Sequence, residues 1–182
     1  MNDSKIVNDT TDFLNSIEFS YLKTNNFKLL YRASRDGFSS KSFHFRVKNK
    51  PKSLILIKSG TNVFGGYTDL SWNGDTSSYR YDSNAFLFSY QNPNKAAKLF
   101  KLLSTNYYSN AIYDAPDILF RFGTSDLQVC SNANLNTCSS SYLGSTYQMS
   151  SNTYGYYNSY SNYFTGSNFF MIDEIEIYQR SN

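Results

Sequence analysis

The chain has 182 residues, and its 17 Lys and Arg against 14 Asp and Glu give a net charge of +3 at pH 7. This length suits one compact domain with a substantial core, and so small and dispersed a charge argues against a nucleic-acid groove. With 17 Tyr and 15 Phe but only three Pro, the composition favours a strand-dominated core over a helix bundle.

The N-terminal segment is predicted to contain a helix. Apolar residues fall near helical spacing, and Asp9, Thr10 or Thr11 is available as the N-cap; the apolar positions are Ile6, Phe13, Leu14, Ile17 and Tyr21. We therefore divide the chain into a helical lead-in, residues 1–25, and a single compact domain, residues 26–182.

Two strands are predicted next, over residues 27–33 and 43–47, with a possible short helix at 38–42 between them. In the second strand, apolar residues alternate with His44 and Arg46, which is the period of a strand with one wet face. This pattern predicts that His44 lies on the more solvated side of a sheet.

A meander of three strands is predicted over residues 54–57, 63–67 and 85–88, with turn-forming segments between them. The middle strand contains Gly65 and Gly66. Glycines inside a strand usually mark a bulge or the close approach of another group.

Further strands are predicted towards the C-terminus, over residues 98–103, 110–113, 118–122, 126–130 and 168–178. Residues 96–100 could instead be helical. About ten short strands favour a mainly β fold, an antiparallel β-sandwich of two sheets with a few short helices. A closed barrel is the alternative.

Residues 127–172 contain no charged side chain and are crowded with Ser, Asn and Tyr. Surface loops are expected at 132–141 and 150–162, because such tracts have few aliphatic residues to offset the entropy of ordering. The tract could be an interaction surface, or it could reflect compositional bias of the host genome.

No motif for conventional enzyme chemistry occurs, and a single histidine, His44, leaves little room for Ser-His or Cys-His schemes. His44 with Cys130 and Cys138 would be too few ligands for zinc. No basic residue adjoins either cysteine along the chain to lower a thiol pKa, so two reduced cysteines are expected rather than a redox pair. No cofactor or metal is predicted.

The first residues lack a signal-peptide pattern, and no stretch has the hydrophobicity to span a bilayer. We therefore expect a soluble, cytoplasmic protein.

Carboxylates are the remaining candidates for chemistry. Glu174 and Glu176 share one face of the predicted last strand, and paired carboxylates can serve acid-base catalysis or bind a cation. Asp114, Asp117 and Asp126 could complete such a site, although their spacing matches no calcium loop. The simpler interpretation of the glutamates is an exposed polar face at a sheet edge.

Several ordered motifs together resemble the TLDc domain. They begin with LLYRASRDGFS at 29–39, GTNVFGGY at 60–67 and NAFLFS at 84–89, and they continue through Phe122-Gly123 and the EIEIY ending at 174–178. The resemblance covers roughly residues 26–178. Its matched structural positions are Gly37, Phe38, Phe64, Gly65, Gly66, Phe86, Phe88, Gly123 and Phe169.

The resemblance implies a two-sheet β-sandwich without established catalytic activity. TLDc proteins are linked to oxidative-stress resistance, and several bind the vacuolar proton-pumping ATPase. The expected function is thus a non-enzymatic protein-interaction module, which could be held at a vacuolar or endosomal membrane by its protein partner. Asp126, Glu174 and Glu176 are the matched polar residues that a role in the core does not explain.

Gly37, Gly65 and Gly66 are expected to permit special backbone geometry or close packing, and the matched phenylalanines are expected to fill the space between the sheets. Two alternatives to the interaction module remain open. One is a carboxylate-dependent hydrolase, acting with or without a metal ion, and the other is a structural subunit of a larger assembly.

Overall fold

Two antiparallel sheets form the protein in a computed structural model, which describes residues 1, 3–8, 10–16, 26–93, 95–149 and 162–181. The helices described are α1 (Thr10–Ser16), α2 (Ala33–Asp36), α3 (Ser40–Val47) and a 3₁₀ helix (Thr105–Asn110). The strands are β1 (Phe27–Arg32), β2 (Ser53–Ser59), β3 (Asn62–Thr68), β4 (Ser78–Arg80), β5 (Phe86–Gln91), β6 (Lys98–Leu102), β7 (Ile112–Asp114), β8 (Ile118–Phe122), β9 (Leu127–Cys130), β10 (Ser139–Ser140), β11 (Tyr147–Met149), β12 (Phe169–Phe170) and β13 (Glu174–Arg180).

The strand order is β1-β13-β2-β3-β5-β6-β11 in the larger sheet and β12-β10-β9-β8-β7-β4 in the smaller one. The predicted meander is confirmed, since β2, β3 and β5 are neighbours. The two separate sheets confirm the mainly β, two-sheet architecture, and they replace the barrel alternative. The segment at 96–100 enters strand β6 rather than a helix.

The larger sheet buries both of its faces. Ile55 and Ile57 of β2 join the core that also contains the apolar residues of the smaller sheet, whereas Leu54 and Leu56 belong to a second apolar cluster. Because successive side chains of a strand point to opposite faces, the second cluster lies on the outer face of the larger sheet. Burial on both faces explains the continuous apolar run of β2.

The N-terminal segment covers this outer face. Ile6, Val7, Phe13 and Leu14 are buried in the outer cluster, and the Phe13 ring packs edge-on against Phe88 at 5.6 Å between centroids. The predicted N-terminal helix is present as α1, while Ile17 and Tyr21 lie outside the described residues. The segment is thus part of the packing that stabilises the larger sheet.

The matched phenylalanines divide among three environments. Phe64 is buried between the sheets and Phe38 packs against the same core, as predicted. The prediction is wrong for Phe86 and Phe88, which lie in the outer cluster, and for Phe169, whose side chain is 54% exposed. The first two were misplaced because the outer face is covered by a segment distant in sequence.

The strand predicted at 43–47 is wrong, because these residues form the second half of α3. The Ser39 side chain accepts a hydrogen bond from the Ser42 N–H and caps the helix, which starts at Ser40. Phe43 and Val47 are buried one helical turn apart, while Phe45 is 83% exposed. Helical spacing therefore accounts for the burial of Phe43 and Val47, whereas the alternation of a strand would bury Phe45 as well.

Gly37 and Gly123 adopt the left-handed backbone region, with φ of 98° and 64°. Gly37 follows α2 and donates its N–H to the Ala33 carbonyl at 2.8 Å, which closes the last turn of that helix. The special backbone geometry predicted for Gly37 is confirmed.

Candidate functional site

The three carboxylates singled out in the sequence are buried, and the structure places them in separate hydrogen-bond networks. Glu174 and Glu176 lie on β13, whose neighbours in the larger sheet are β1 and β2. The prediction of an exposed edge is therefore wrong, since β13 is an inner strand and Glu176 has no exposed surface. Asp126 lies in the turn between β8 and β9 of the smaller sheet.

Glu176 anchors the N-terminal segment to the outer face of the larger sheet. Its Oε1 accepts bonds from the Lys5 N–H at 2.9 Å and from Arg32 Nε at 2.8 Å. Its Oε2 accepts bonds from the hydroxyls of Ser4 at 2.6 Å and Tyr178 at 3.0 Å. Burial, together with this carboxylate, raises the pKa of the Tyr178 hydroxyl. Four donors satisfy the buried charge, so Glu176 has a clear structural role.

Replacing Ser4 by Ala tests this anchor. The Ser4 hydroxyl donates to the Glu176 carboxylate and accepts the backbone N–H groups of Ile6 and Val7. A hydrogen bond to a charged group contributes about 1.5–3 kcal/mol, so we expect the Ser4→Ala variant to lose about 2 kcal/mol in urea unfolding. We also expect faster tryptic cleavage after Lys5.

Ser34→Ala is the matched control for this prediction, because Ser34 is exposed and uses its backbone N–H, not its hydroxyl, to bind Glu174. Equal stability and equal cleavage rates for the two variants would contradict the anchoring role of Ser4.

Glu174 fixes the start of α2. One of its carboxylate oxygens accepts the backbone N–H groups of Ser34 and Ile175, each at 3.0 Å. A carboxylate beside the first N–H groups of a helix is favourable because those groups lack partners within the helix. This contact joins β13 to the segment that follows β1.

Asp126 binds the turn that leads from the smaller sheet into the larger one. Its carboxylate accepts backbone N–H bonds of 2.9–3.1 Å from four consecutive residues, Gly144, Ser145, Thr146 and Tyr147. Burial raises the pKa of Asp126, and the backbone donors oppose that rise. Because Tyr147 starts β11, the carboxylate positions an edge strand of the larger sheet.

His44 is buried, which corrects the prediction of a solvated position. Its Nδ1 lies 3.2 Å from the Trp72 carbonyl oxygen, and its Nε2 lies 2.9–3.0 Å from the carbonyl oxygens of Ala115 and Ile118. Since the ring faces backbone carbonyls of the β3–β4 loop and of the segment that leads into β8, it joins α3 to both regions.

The remaining aspartates do not complete a cation site with the glutamates. Asp114 accepts the backbone N–H groups of Asn73 and Gly74 at 3.0 Å, and Asp117 is exposed on a turn. Within the described residues, no group of three or more His, Cys, Asp or Glu side chains is placed to hold a metal ion.

A groove of about 550 Å³ lies between the N-terminal segment and the turn joining β2 to β3. Its described lining includes Lys5, Asp12, Lys58 and Tyr90, and none of the three candidate carboxylates is part of it. The groove therefore does not unite them into one site.

The smaller sheet carries an exposed apolar surface that the sequence analysis missed. Leu135 is 77% exposed, Phe169 54% and Met171 47%, and we call these three residues the apolar patch. The Ile172 N–H donates to the Ala133 carbonyl at 3.0 Å, which brings the loop carrying Leu135 beside the segment carrying Met171.

The patch belongs to the edge of the sheet, because β12 is an edge strand and Phe169 is its first residue. It lies within the charge-free tract 127–172. The available signal in the sequence was the occurrence of isolated large apolar residues among Ser and Asn.

Comparison with known proteins agrees with the motifs found in the sequence. Among the helices of the described residues, none has the length and apolar character required to cross a bilayer. A search of curated proteins finds no match. The family model described as the TLDc domain matches residues 1–181, which is essentially the whole chain and includes the N-terminal segment, and the chain therefore belongs to the TLDc domain family.

Proposed function

We propose that this protein is a non-enzymatic protein-interaction module that binds the vacuolar proton-pumping ATPase, contributes to oxidative-stress resistance, or does both. The observation that carries the proposal is the apolar patch at the edge strand β12. The proposal places the chain in the cytoplasm, held at a vacuolar or endosomal membrane through its protein partner.

The chemistry of the patch favours a protein partner with an uncharged apolar surface. Exposed apolar residues that adjoin one another commonly mark interaction sites, and an aromatic residue with Met is typical of interface cores. The tract around the patch, residues 127–172, has no charged residue, so no side chain of this tract can form an ion pair with a partner. Family membership makes a subunit of the vacuolar ATPase the first partner to test.

The contacts of the carboxylates support a non-enzymatic role over a hydrolase. A hydrolase that used Asp126, Glu174 and Glu176 would need them to converge in one concave site. Asp126 instead binds the turn 144–147, while Glu176 binds Ser4, Lys5 and Arg32. Each carboxylate is occupied by structural donors.

Binding to the purified ATPase tests the proposal. We expect the immobilised wild-type protein to bind the complex in biolayer interferometry, and the Leu135→Ser, Phe169→Ser double variant to bind at least about tenfold more weakly. A hot-spot residue contributes about 2 kcal/mol or more, so two central residues suffice for that loss.

Tyr81→Ser is the matched control, because Tyr81 is 62% exposed and directly follows β4, the opposite edge strand of the same sheet. Its affinity should equal that of the wild type. A folded wild-type protein that does not bind the ATPase would overturn the ATPase assignment, and full binding by the double variant would overturn the role of the patch.

A further inference from the structure

The two cysteines of the chain lie opposite each other across a β-hairpin. Cys130 ends β9, and Cys138 directly precedes β10. The antiparallel register pairs Ser140 with Gln128, and continuing it along the hairpin pairs Cys138 with Cys130. Residues opposite each other in such a pair have Cα atoms about 4.5–5.5 Å apart, within the range of about 4.4–6.8 Å found in disulfides.

The Cys130 side chain is already in contact with Cys138. The Cys130 thiol donates a hydrogen bond to the Cys138 carbonyl oxygen, with the sulfur and the oxygen 2.8 Å apart. Both cysteines are free thiols in the structure. The two cysteines are eight positions apart in the sequence, and the hairpin register brings them together.

We propose that Cys130 and Cys138 form an oxidation site, at which a hydroperoxide converts the two thiols into an intramolecular disulfide. This inference does not rest on the proposed binding function. It follows from the hairpin register, the contact of the Cys130 thiol with Cys138 and the exposure of Cys138.

The two thiols have different roles in this reaction. Cys138 is exposed, whereas Cys130 is half-buried. Burial, and then the hydrogen bond with Cys138, raise the pKa of the Cys130 thiol to about 12. Since the thiolate is the nucleophile, Cys138 reacts first and Cys130 resolves the product.

The electron and atom balance requires one hydroperoxide for each disulfide. The Cys138 thiolate attacks the O–O bond and becomes a sulfenic acid, and the other oxygen leaves with a proton as an alcohol, or as water when the oxidant is hydrogen peroxide. The Cys130 sulfur then attacks the Cys138 sulfur. The S–S bond forms, and the hydroxyl group leaves with the Cys130 proton as water. Both sulfurs are oxidised, and the hydroperoxide is reduced by two electrons.

The disulfide would close the loop 131–137, which already connects separate parts of the fold. The Ser131 hydroxyl accepts the Ser40 N–H at 3.0 Å, and the Asn132 N–H donates to the Phe38 carbonyl at 2.9 Å. The same loop carries Leu135 of the apolar patch. Oxidation therefore restrains the position of an exposed apolar residue.

Intact-mass spectrometry of the folded protein tests the site. Reduced wild-type protein is treated with hydrogen peroxide, denatured and then exposed to iodoacetamide. We expect a monomer that is lighter by the two thiol hydrogens and takes up no alkyl group, and dithiothreitol should restore both alkylation sites. Because the chain has two cysteines, the assignment is unambiguous.

The Cys130→Ser variant should stop at the sulfenic acid of Cys138, which dimedone labels, and the Cys138→Ser variant should stay reduced under the same treatment. Wild-type protein that acquires added oxygens, forms intermolecular dimers or keeps two alkylatable thiols would overturn the proposal. The wild-type measurement decides even if a variant fails to fold.

Discussion

Replacing Asp126 by Ala is expected to remove a large part of the stability of the domain. The side chain is fully buried, and it is the shared acceptor for the N–H groups of residues 144–147. A buried donor left without a partner costs about 1–3 kcal/mol, so the loss should be roughly 4 kcal/mol or more, against a typical domain stability of about 5–15 kcal/mol. Urea unfolding followed by the fluorescence of Trp72, the single tryptophan, measures it.

Two further variants separate the acceptor role of Asp126 from its charge. Asp126→Asn keeps one acceptor oxygen, and since Oδ1 receives a bond from each of the four residues, we expect a smaller loss of about 2 kcal/mol. Asp117→Ala removes an exposed carboxylate and should be neutral within about 0.5 kcal/mol. A loss for Asp126→Ala no greater than that for Asp117→Ala would contradict the structural role.

The parts of the fold that were predicted correctly depend on local pattern. The meander was recognisable because short β-branched and aromatic runs alternate with turn residues. β2, β3 and β5 follow one another in the larger sheet in their sequence order, although the short β4 of the smaller sheet lies between β3 and β5 along the chain. The same pattern could not show which faces are buried. Phe86 and Phe88 were assigned to the space between the sheets, but the N-terminal segment covers the other face.

The burial of Glu176 was not predictable from its neighbours. Alternating carboxylates on a terminal strand usually indicate a solvated face, and the side chains that satisfy Glu176 include Ser4, at the other end of the chain, and Arg32. Partners so distant in sequence leave no periodic signal. The TLDc motifs drew attention to Glu174 and Glu176 without indicating the groups to which these side chains are hydrogen-bonded.

The segment 43–47 was mispredicted because five residues are too few to distinguish the two periods. Phe43 and Val47 fit the spacing of a helix as well as that of a strand, whereas the two periods differ for the buried His44 and most clearly for Phe45. Its exposure shows that the period is helical. The apolar patch was missed for a related reason, because the loop that carries Leu135 and the segment that carries Met171 are joined by a hydrogen bond between residues distant in sequence, Ala133 and Ile172.

The Gly65→Ala variant is expected to prevent normal folding of the larger sheet. A methyl group at this position would overlap the carbonyl oxygen of Ile55 and lie 2.9 Å from its carbonyl carbon. The obstacle is the backbone of β2, which pairs with β3, so it cannot move aside without breaking ladder hydrogen bonds. We expect a loss of at least about 4 kcal/mol, at the upper end for single substitutions, measurable by urea unfolding or as loss of soluble protein.

Two other glycines provide a graded comparison for this prediction. A methyl group at Gly66 would meet the side chains of Phe122 at 2.7 Å and Leu87 at 2.9 Å, and side chains can shift, so Gly66→Ala should cost less than Gly65→Ala. At Gly166 no atom of the described residues other than its chain neighbours lies within 4 Å of the added carbon, and the left-handed backbone, with φ of 80°, should cost about 1–2 kcal/mol. The expected order of the stability losses follows from how far the atoms that meet the added methyl group can move. If Gly65→Ala were as stable as Gly166→Ala, β3 could not approach β2 as closely as the structure shows.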